Sequence, residues 1–344
     1  MNKIKRSLWL IAVWFIKILF GKSHFKVPFF KRIYYAFNGG FMPDQVVLYN
    51  LNNKNKNEYL SEFDWYKSRA INGKYGRLLD NKVVCGDLLK SYVKIPKVFF
   101  IKKDNFITSY DGVTNTYESV LKSLEKNKDF YIKPIAAGKG NGVNRLSYKD
   151  KKYYIDFNVV SKVELINFLE TRKSWFISEC ITQAKFLNNI YDKTTNTIRI
   201  ISIRDKNTNE CKVINAVQRI GTKQTIPVDN GSRGGLVAKI DIDTGKLSAA
   251  KSIQKICDYD KHPDSKNQID GVVIPNWDKV KKEIVSLMEK LPYIYFIAWD
   301  VLLTDEGICI IEANSSSGIN IIQMWGGQRN KELGNFYRTH KIIK

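Results

Sequence analysis

The residues best suited to chemistry lie in one segment, Tyr293-Ile-Tyr-Phe-Ile-Ala-Trp-Asp-Val-Leu-Leu-Thr-Asp-Glu-Gly-Ile-Cys-Ile-Ile-Glu-Ala-Asn314. Two apolar runs flank Asp305-Glu-Gly307, which predicts a hairpin, because a three-residue loop ending in a left-handed glycine is a common connection. With that loop Thr304 pairs with Ile308, Asp300 falls opposite Glu312, and Asn314 shares their face. Two carboxylates facing each other at about 5 Å between Cβ atoms repel and destabilise a sheet, so a positive group belongs between them. Ala298 and Leu302 flank Asp300 on the same side, which argues against a face open to water. Oxygen donors without histidine or cysteine favour a hard cation, and Mg²⁺ carried by phosphates is the usual partner. Asp300, Glu312 and Asn314 are therefore the expected metal ligands.

A second group lies in Phe130-Tyr-Ile-Lys-Pro-Ile-Ala-Ala-Gly-Lys-Gly-Asn-Gly142. Lys133 ends a strand, and a loop with Gly138, Lys139, Gly140 and Gly142 follows. Glycines let backbone N–H groups approach phosphate oxygens, and a lysine adds a point charge. The spacing is neither that of a P-loop nor that of a dinucleotide fingerprint. It reads as a lid over phosphates or as a plain hairpin turn. The chain offers no nucleophilic triad, because His24, His262 and His340 have no evident partners; His262, before Pro263, reads as a loop residue. Five scattered cysteines and no C-x-x-C pair exclude a disulfide framework or a zinc site and point to a reduced, cytoplasmic protein.

The elements that must hold these groups follow from periodicity. Residues 1–75 read as helices and turns around Phe37-Asn-Gly-Gly-Phe-Met-Pro43, and residues 81–92 as a helix. Residues 98–101, 130–133 and 175–181 read as strands, and 197–204 pairs with 211–218 across Lys206-Asn-Thr-Asn209. Ser161-Lys-Val-Glu164 is a capping box opening a helix to about residue 172. Asp278 can cap a helix carrying Val280, Ile284, Leu287, Met288 and Leu291 and stopped by Pro292. Strands, a helix, then strands without strict βαβ alternation give an α+β class.

With 344 residues the chain suggests about two domains. A hydrophobic fraction of 44% and a charged fraction of 26% exclude a disordered or fibrous chain. The formal charge is +22, from 56 Lys+Arg against 34 Asp+Glu, and no acidic residue precedes Asp44. Lys3, Lys5, Arg6, Lys22, Lys26, Lys31 and Arg32 surround the apolar run from Leu8 to Phe20, which only Lys17 interrupts. That run is short of the roughly 20 residues a spanning helix needs, and Gly21-Lys-Ser-His-Phe-Lys is a poor cleavage site. Residues 1–24 are expected to lie on an anionic membrane surface, or else to pack on the fold behind them. No nucleic-acid module accompanies the basic charge, which makes nucleic acid the weaker partner.

A Lys-Pro strand end, a Gly-rich loop, a later strand with Glu179 and a final Asp…Glu-x-Asn set together resemble the ATP-grasp superfamily. Within it the chain is most similar to the sugar-transfer-associated ATP-grasp proteins of bacterial surface-polysaccharide clusters. Phe37-Asn-Gly-Gly-Phe-Met-Pro-Asp44, Ile274-Pro-Asn-Trp-Asp278 and Trp299-Asp300 also look typical of that group, and the likeness runs from about residue 36 to 330. The resemblance implies an ATP-grasp fold, two α+β subdomains clasping ATP, over residues 76–344 behind a helical N-terminal region. The lid subdomain would cover about 115–180 and the catalytic subdomain about 181–330. Lys82 and Lys133 would bind nucleotide, Gly138 to Gly142 would cover the phosphates, and Glu179 and Ile181 would meet adenine. Asp300, Glu312 and Asn314 would hold Mg²⁺, and Arg199 and Arg219 would face the transferred phosphoryl group. Asn230, Ser232, Arg233, Gly234 and Gly235 would form a loop near the acceptor. The segment Thr182 to Asn189 lacks the ribose-binding carboxylate of many relatives, leaving Gln183 as the polar candidate.

The implied activity is ATP- and Mg²⁺-dependent carboxylate–amine ligation through an acyl phosphate, because a carboxylate is a poor electrophile until phosphorylated. The implied partners are an amino acid or amine and a surface-glycan precursor, lipid-linked where it is assembled at the inner face of the cell membrane. A kinase acting on a sugar hydroxyl would need the same nucleotide and metal groups, and a membrane-docked nucleotide-binding scaffold would need no turnover.

Overall fold

The computed structural model describes residues 3–135 and 142–344, and it resolves the strand-rich remainder of the chain into two antiparallel sheets. The first contains β1 (Val98–Lys103), β2 (Phe106–Ser109), β3 (Thr114–Asn115), β4 (Asp129–Lys133), β5 (Asn144–Lys149), β6 (Lys152–Ile155), β7 (Asn158–Val160) and β8 (Ser174–Glu179). Their order is β3-β2-β1-β8-β4-β5-β6-β7. The expected lid boundary near 115 falls inside this sheet, whose first strand begins at Val98. The helices Tyr117–Asn127 and Lys162–Glu170 pack on it, burying Val120, Leu121, Leu124, Leu165 and Leu169 against Phe130, Ile132, Leu146 and Trp175. The second of these helices carries the expected capping box: Ser161 Oγ accepts from Glu164 N at 3.2 Å, and Glu164 Oε2 accepts from Ser161 N at 2.7 Å.

The second sheet contains β9 (Ile198–Arg204), β10 (Cys211–Ile220), β11 (Leu236–Ile240), β12 (Leu247–Ser252), β13 (Asp258–Tyr259), β14 (Phe296–Thr304) and β15 (Gly307–Asn314), ordered β13-β12-β11-β10-β9-β14-β15. Both its faces are covered. Trp299 and Val301 join one core with Ile198, Ile200, Val280 and Ile284, while Phe296 and Ala298 join another with Leu60, Ile201, Phe336 and Tyr337. Double coverage explains why β14 is apolar almost without interruption. The core continues past residue 330, since Leu333, Phe336 and Tyr337 belong to the C-terminal helix Glu332–Thr339.

The helix Trp277–Glu289 starts differently from expectation. Its N-cap is Asn276, at φ 54°, without a side-chain cap, and Asp278 sits in the first turn bridged to Lys281 at 2.9 Å. The N-terminal quarter is helical, as expected, with α1 (Lys3–Val13) running on into a π-helical stretch, Trp14–Leu19. Then come α2 (Phe29–Phe37), α3 (Pro43–Leu48), α4 (Glu62–Ser68), α5 (Gly76–Asp80) and α6 (Lys82–Leu89). This quarter is fastened to the second sheet's outer core by Leu60 and by a buried amide network in which Gln45 donates to Asn320 at 2.9 Å and Gln323 to the Leu60 carbonyl at 2.9 Å.

Candidate active site

The β14–β15 hairpin reaches the expected pairing by an unexpected route. Its loop is Asp305-Glu306, with Thr304 opposite Gly307 rather than Ile308. One residue later in register, Ile311 is bulged: Val301 pairs with Ile310 while Asp300 pairs with Glu312. The shorter loop and the bulge offset each other. On the other side β9 places Arg199 opposite Asp300, so Arg199, Asp300 and Glu312 form one row across three strands.

That row is tied together by charge. Arg199 Nε donates to Asp300 Oδ1 at 2.5 Å and Nη2 to Oδ2 at 3.1 Å. Arg219, from β10, donates through Nη1 to Asp300 Oδ2 at 3.0 Å and through Nη2 to Asp229 Oδ1 at 2.6 Å. Asp229 in turn accepts from Thr197 N at 2.7 Å and Thr197 Oγ1 at 2.6 Å. Burial pushes the Asp300 carboxyl up, but the two guanidiniums outweigh it and hold the group well below the usual carboxylate range. For Asp229 burial prevails and its pKa is raised despite Arg219.

Glu312 is held from above. Asn81 caps α6 by accepting from Val83 N and Val84 N at 3.2 Å each, which sets the first helical residue, Lys82, over the sheet. Lys82 Nζ lies 3.0 Å from Glu312 Oε2, and Asn314 Nδ2 donates to Glu312 Oε1 at 3.3 Å. Asp80 fixes the same turn by accepting from Ser315 N at 3.0 Å and Ser315 Oγ at 2.9 Å. Lys133, at the end of β4, has no carboxylate within ion-pairing distance among the described residues. Burial and the neighbouring Lys82 ammonium lower its pKa to about 8.

These residues line one cleft between the two sheets. Lys82, Lys133, Glu179, Ile181, Arg219, Asn230, Asp300 and Glu312 all border it, and Pro96, Val143, Leu302 and Ile311 supply apolar wall. Arg199 and Asn314 reach it through Asp300 and Glu312. Glu179 ends β8 where the chain leaves the first sheet, and it pairs with Lys97 through N–H to carbonyl at 2.8 Å and through Oε2 to Lys97 N at 3.2 Å. The apolar walls beside the end of β8 suit a flat base, and Lys133, a cation without a bonded carboxylate among the described residues, suits an anion further in. The donor set for a divalent ion is two carboxylates and an amide oxygen; among the described residues no group of three or more His, Cys, Asp and Glu is placed to hold a metal ion. Such a set fits Mg²⁺, which keeps several oxygen positions for water and substrate phosphates.

Other expected residues fall elsewhere. Gly138, Lys139 and Gly140 lie outside the described residues; Gly142, at φ 74°, accepts from Arg172 Nη1 at 2.9 Å. Asn230 caps a short 3₁₀ turn, its Oδ1 accepting from Ser232 N at 3.0 Å. Gly234 takes φ 107°, and any Cβ on Gly235 would sit 2.9 Å from the Asp229 carbonyl oxygen, which explains the two glycines. Ser232 and Arg233 are exposed and do not border the cleft. Gln183 cannot serve ribose: its amide donates to Asn188, Tyr191 and Thr194 and its oxygen accepts from Asn196 N at 2.8 Å, all internally. His262 is a fully buried staple, with Nε2 2.8 Å from the Gly221 carbonyl oxygen and Nδ1 accepting from Asp264 N and Ser265 N.

Sequence reasoning missed Asp229, Thr197 and Tyr131. Asp229 immediately precedes the Asn230 loop, a position that could have flagged it in so basic a chain. Tyr131 reaches from β4 to Thr195 Oγ1 at 2.7 Å and the Pro227 carbonyl at 3.2 Å, linking the two sheets' segments across the cleft.

Comparison with known proteins gives one family. The model for sugar-transfer associated ATP-grasp proteins matches residues 63–335. No curated protein matches the sequence. Among solved structures, the ATP-grasp ligase PsnB complexed with minimal precursor, Mg and ADP is 15% identical, with a TM-score of 0.38 over 72% of this chain and 54% of that one. D-alanyl-alanine synthetase A from Vibrio cholerae O1 biovar eltor is 11% identical, with a TM-score of 0.43 over 78% and 66%. D-Alanine-D-Alanine ligase from Helicobacter pylori is 15% identical, with a TM-score of 0.40 over 76% and 61%. The match thus spans about half the length of PsnB.

Proposed function

Because the chain belongs to the sugar-transfer associated ATP-grasp family, we propose that it is an ATP- and Mg²⁺-dependent carboxylate–amine ligase. Its products would be amides joining an amino acid or amino compound to a surface-polysaccharide precursor, made in the cytoplasm. The observation that carries this reading is the row of Arg199, Asp300 and Glu312 facing Lys82 and Lys133 inside a cleft with apolar walls.

A carboxylate oxygen attacks the γ-phosphorus, the bond to the β-bridging oxygen breaks, and ADP leaves with that electron pair. The amine then attacks the acyl carbon, inorganic phosphate leaves, and the nitrogen gives up a proton as the amide forms. Lys82 and Lys133 hold phosphate oxygens, and Arg219, kept in place by Asp229, faces the charge of the moving group. Asp300, Glu312 and Asn314 would hold Mg²⁺, which would supply positive charge to the phosphates. The apolar walls exclude the water that would compete with the amine.

ADP release measured with candidate carboxylates and amines tests the reading. Release that needs both substrates, with one ¹⁸O passing from labelled carboxylate into phosphate, is the expected result. Release with a sugar alone and no ¹⁸O transfer would make the chain a kinase. Full function of Glu312→Gln would make it a non-catalytic scaffold. Mass spectrometry of the native glycan with and without this gene then identifies the attached group.

A further inference from the structure

The helix formed by residues 3–19 has two apolar faces, and the fold uses only one of them. Trp9, Val13 and Ile18 point inward: Trp9 meets Tyr66 of α4 edge-on at 6.0 Å, and Ile18 is wholly buried. Arg6 donates to the Lys67 carbonyl at 3.0 Å. Leu8, Ile11, Phe15 and Phe20 point the other way and are exposed, Phe20 by 68%. The next helix, α2, adds Phe29, Phe30 and Phe37, with Phe30 exposed by 84%.

The two helices are joined rigidly. Arg32 of α2 donates to the Leu19 carbonyl at 2.6 Å and the Gly21 carbonyl at 2.7 Å, closing the C-terminal end of the first helix. Trp14 and Phe37 meet at 4.7 Å. The linker is pinned to α3, where Asp44 accepts from Ser23 Oγ at 2.5 Å, His24 N at 2.8 Å and His24 Nδ1 at 2.8 Å. Around this surface Lys5, Lys17, Lys22, Lys26 and Lys31 are exposed, and none has an acidic partner among the described residues. No helix among the described residues is long and apolar enough to cross a membrane.

We propose that residues 4–37 form a rigid two-helix foot that rests on an anionic lipid surface, with Phe15, Phe20, Phe29 and Phe30 in the acyl boundary and the five lysines on headgroups. The charge selects the occupant. A second copy would bring the same unpaired lysines face to face, whereas anionic headgroups neutralise them. Because the foot is fastened to α3 and α4, it fixes how the catalytic body stands on the membrane and is not a loose tether. The inference does not depend on the ligase reading.

Co-sedimentation of the full chain with phosphatidylglycerol and with phosphatidylcholine vesicles tests it, with thermal unfolding as the control for folding. Binding to the anionic vesicles alone, lost as salt rises, is expected. Phe20→Ser and Phe30→Ser should each weaken it about tenfold, and Lys17→Gln and Lys31→Gln about fivefold each. Failure of the unaltered chain to bind phosphatidylglycerol vesicles overturns the proposal. So does concentration-dependent self-association without lipid that the same phenylalanine variants abolish, which would give the face to a second copy.

Discussion

Two parts of this molecule gather positive charge, and they treat it in opposite ways. In the cleft, Arg199, Arg219 and Lys82 are each bonded to a carboxylate, and those carboxylates are largely shielded from water. On the N-terminal helices the lysines stand in water beside bare phenylalanines. Paired charges fix a geometry that a ligand must enter and rearrange, and they feel added salt weakly. Unpaired charges act at the range of the Debye length, about 8–10 Å, and lose their pull as salt rises. On the two proposals made above, the contrast separates a site for one small polyanion from a surface for an extended one.

The largest expected effect falls on the paired side. Asp300→Asn takes the bonded carboxylate from the enclosed Arg199 and leaves Arg219 with Asp229 alone, so it should cost about 3–5 kcal/mol of stability, read by chemical denaturation, and abolish turnover. Glu312→Gln, whose side chain is 24% exposed, should abolish turnover equally at a small fraction of that cost. Equal stability of the two variants would break the contrast between buried and screened pairs.

A middle-sized effect concerns Lys133. Its ammonium loses its proton near pH 8 in the free protein, below the ordinary lysine range, because burial and Lys82 disfavour the charge. Phosphate favours the charged form, so nucleotide binding above pH 8 should take up a proton, and affinity should fall about tenfold per pH unit. Calorimetry in buffers of different ionisation enthalpy measures the uptake, and Lys133→Arg should flatten the dependence. The smallest effect is on the unpaired side: Phe30→Ser should change stability by less than about 0.5 kcal/mol. A larger loss would mean that the outward face packs on the protein after all.

Much of the cleft was legible because local rules determine it. The alternation around Asp300 and Glu312 survived the wrong loop length, since Ile310-Ile311 hides a bulge within an apolar run where no change of phase is visible. The start of the helix Trp277–Glu289 was misplaced by two residues because Asn276 and Asp278 are both plausible caps around Trp277. Thr197 and Tyr131 were invisible for a different reason: their partners are distant in the chain, and no spacing rule brings them together. At the N-terminus insertion and packing had stood as alternatives. One helix with two apolar stripes packs by the first and leaves the second bare.

The inward stripe has a practical corollary for anyone trimming the chain to improve its behaviour in solution. Removing residues 3–24 would strip the cover from Tyr66 and take the Ser23 and His24 donors from Asp44, a carboxylate only 7% exposed. The truncated protein would exchange one adhesive patch for another and strand a charge beneath it. Polar replacements confined to Leu8, Phe15, Phe20, Phe29 and Phe30 would instead make it less adhesive while leaving the helix seated.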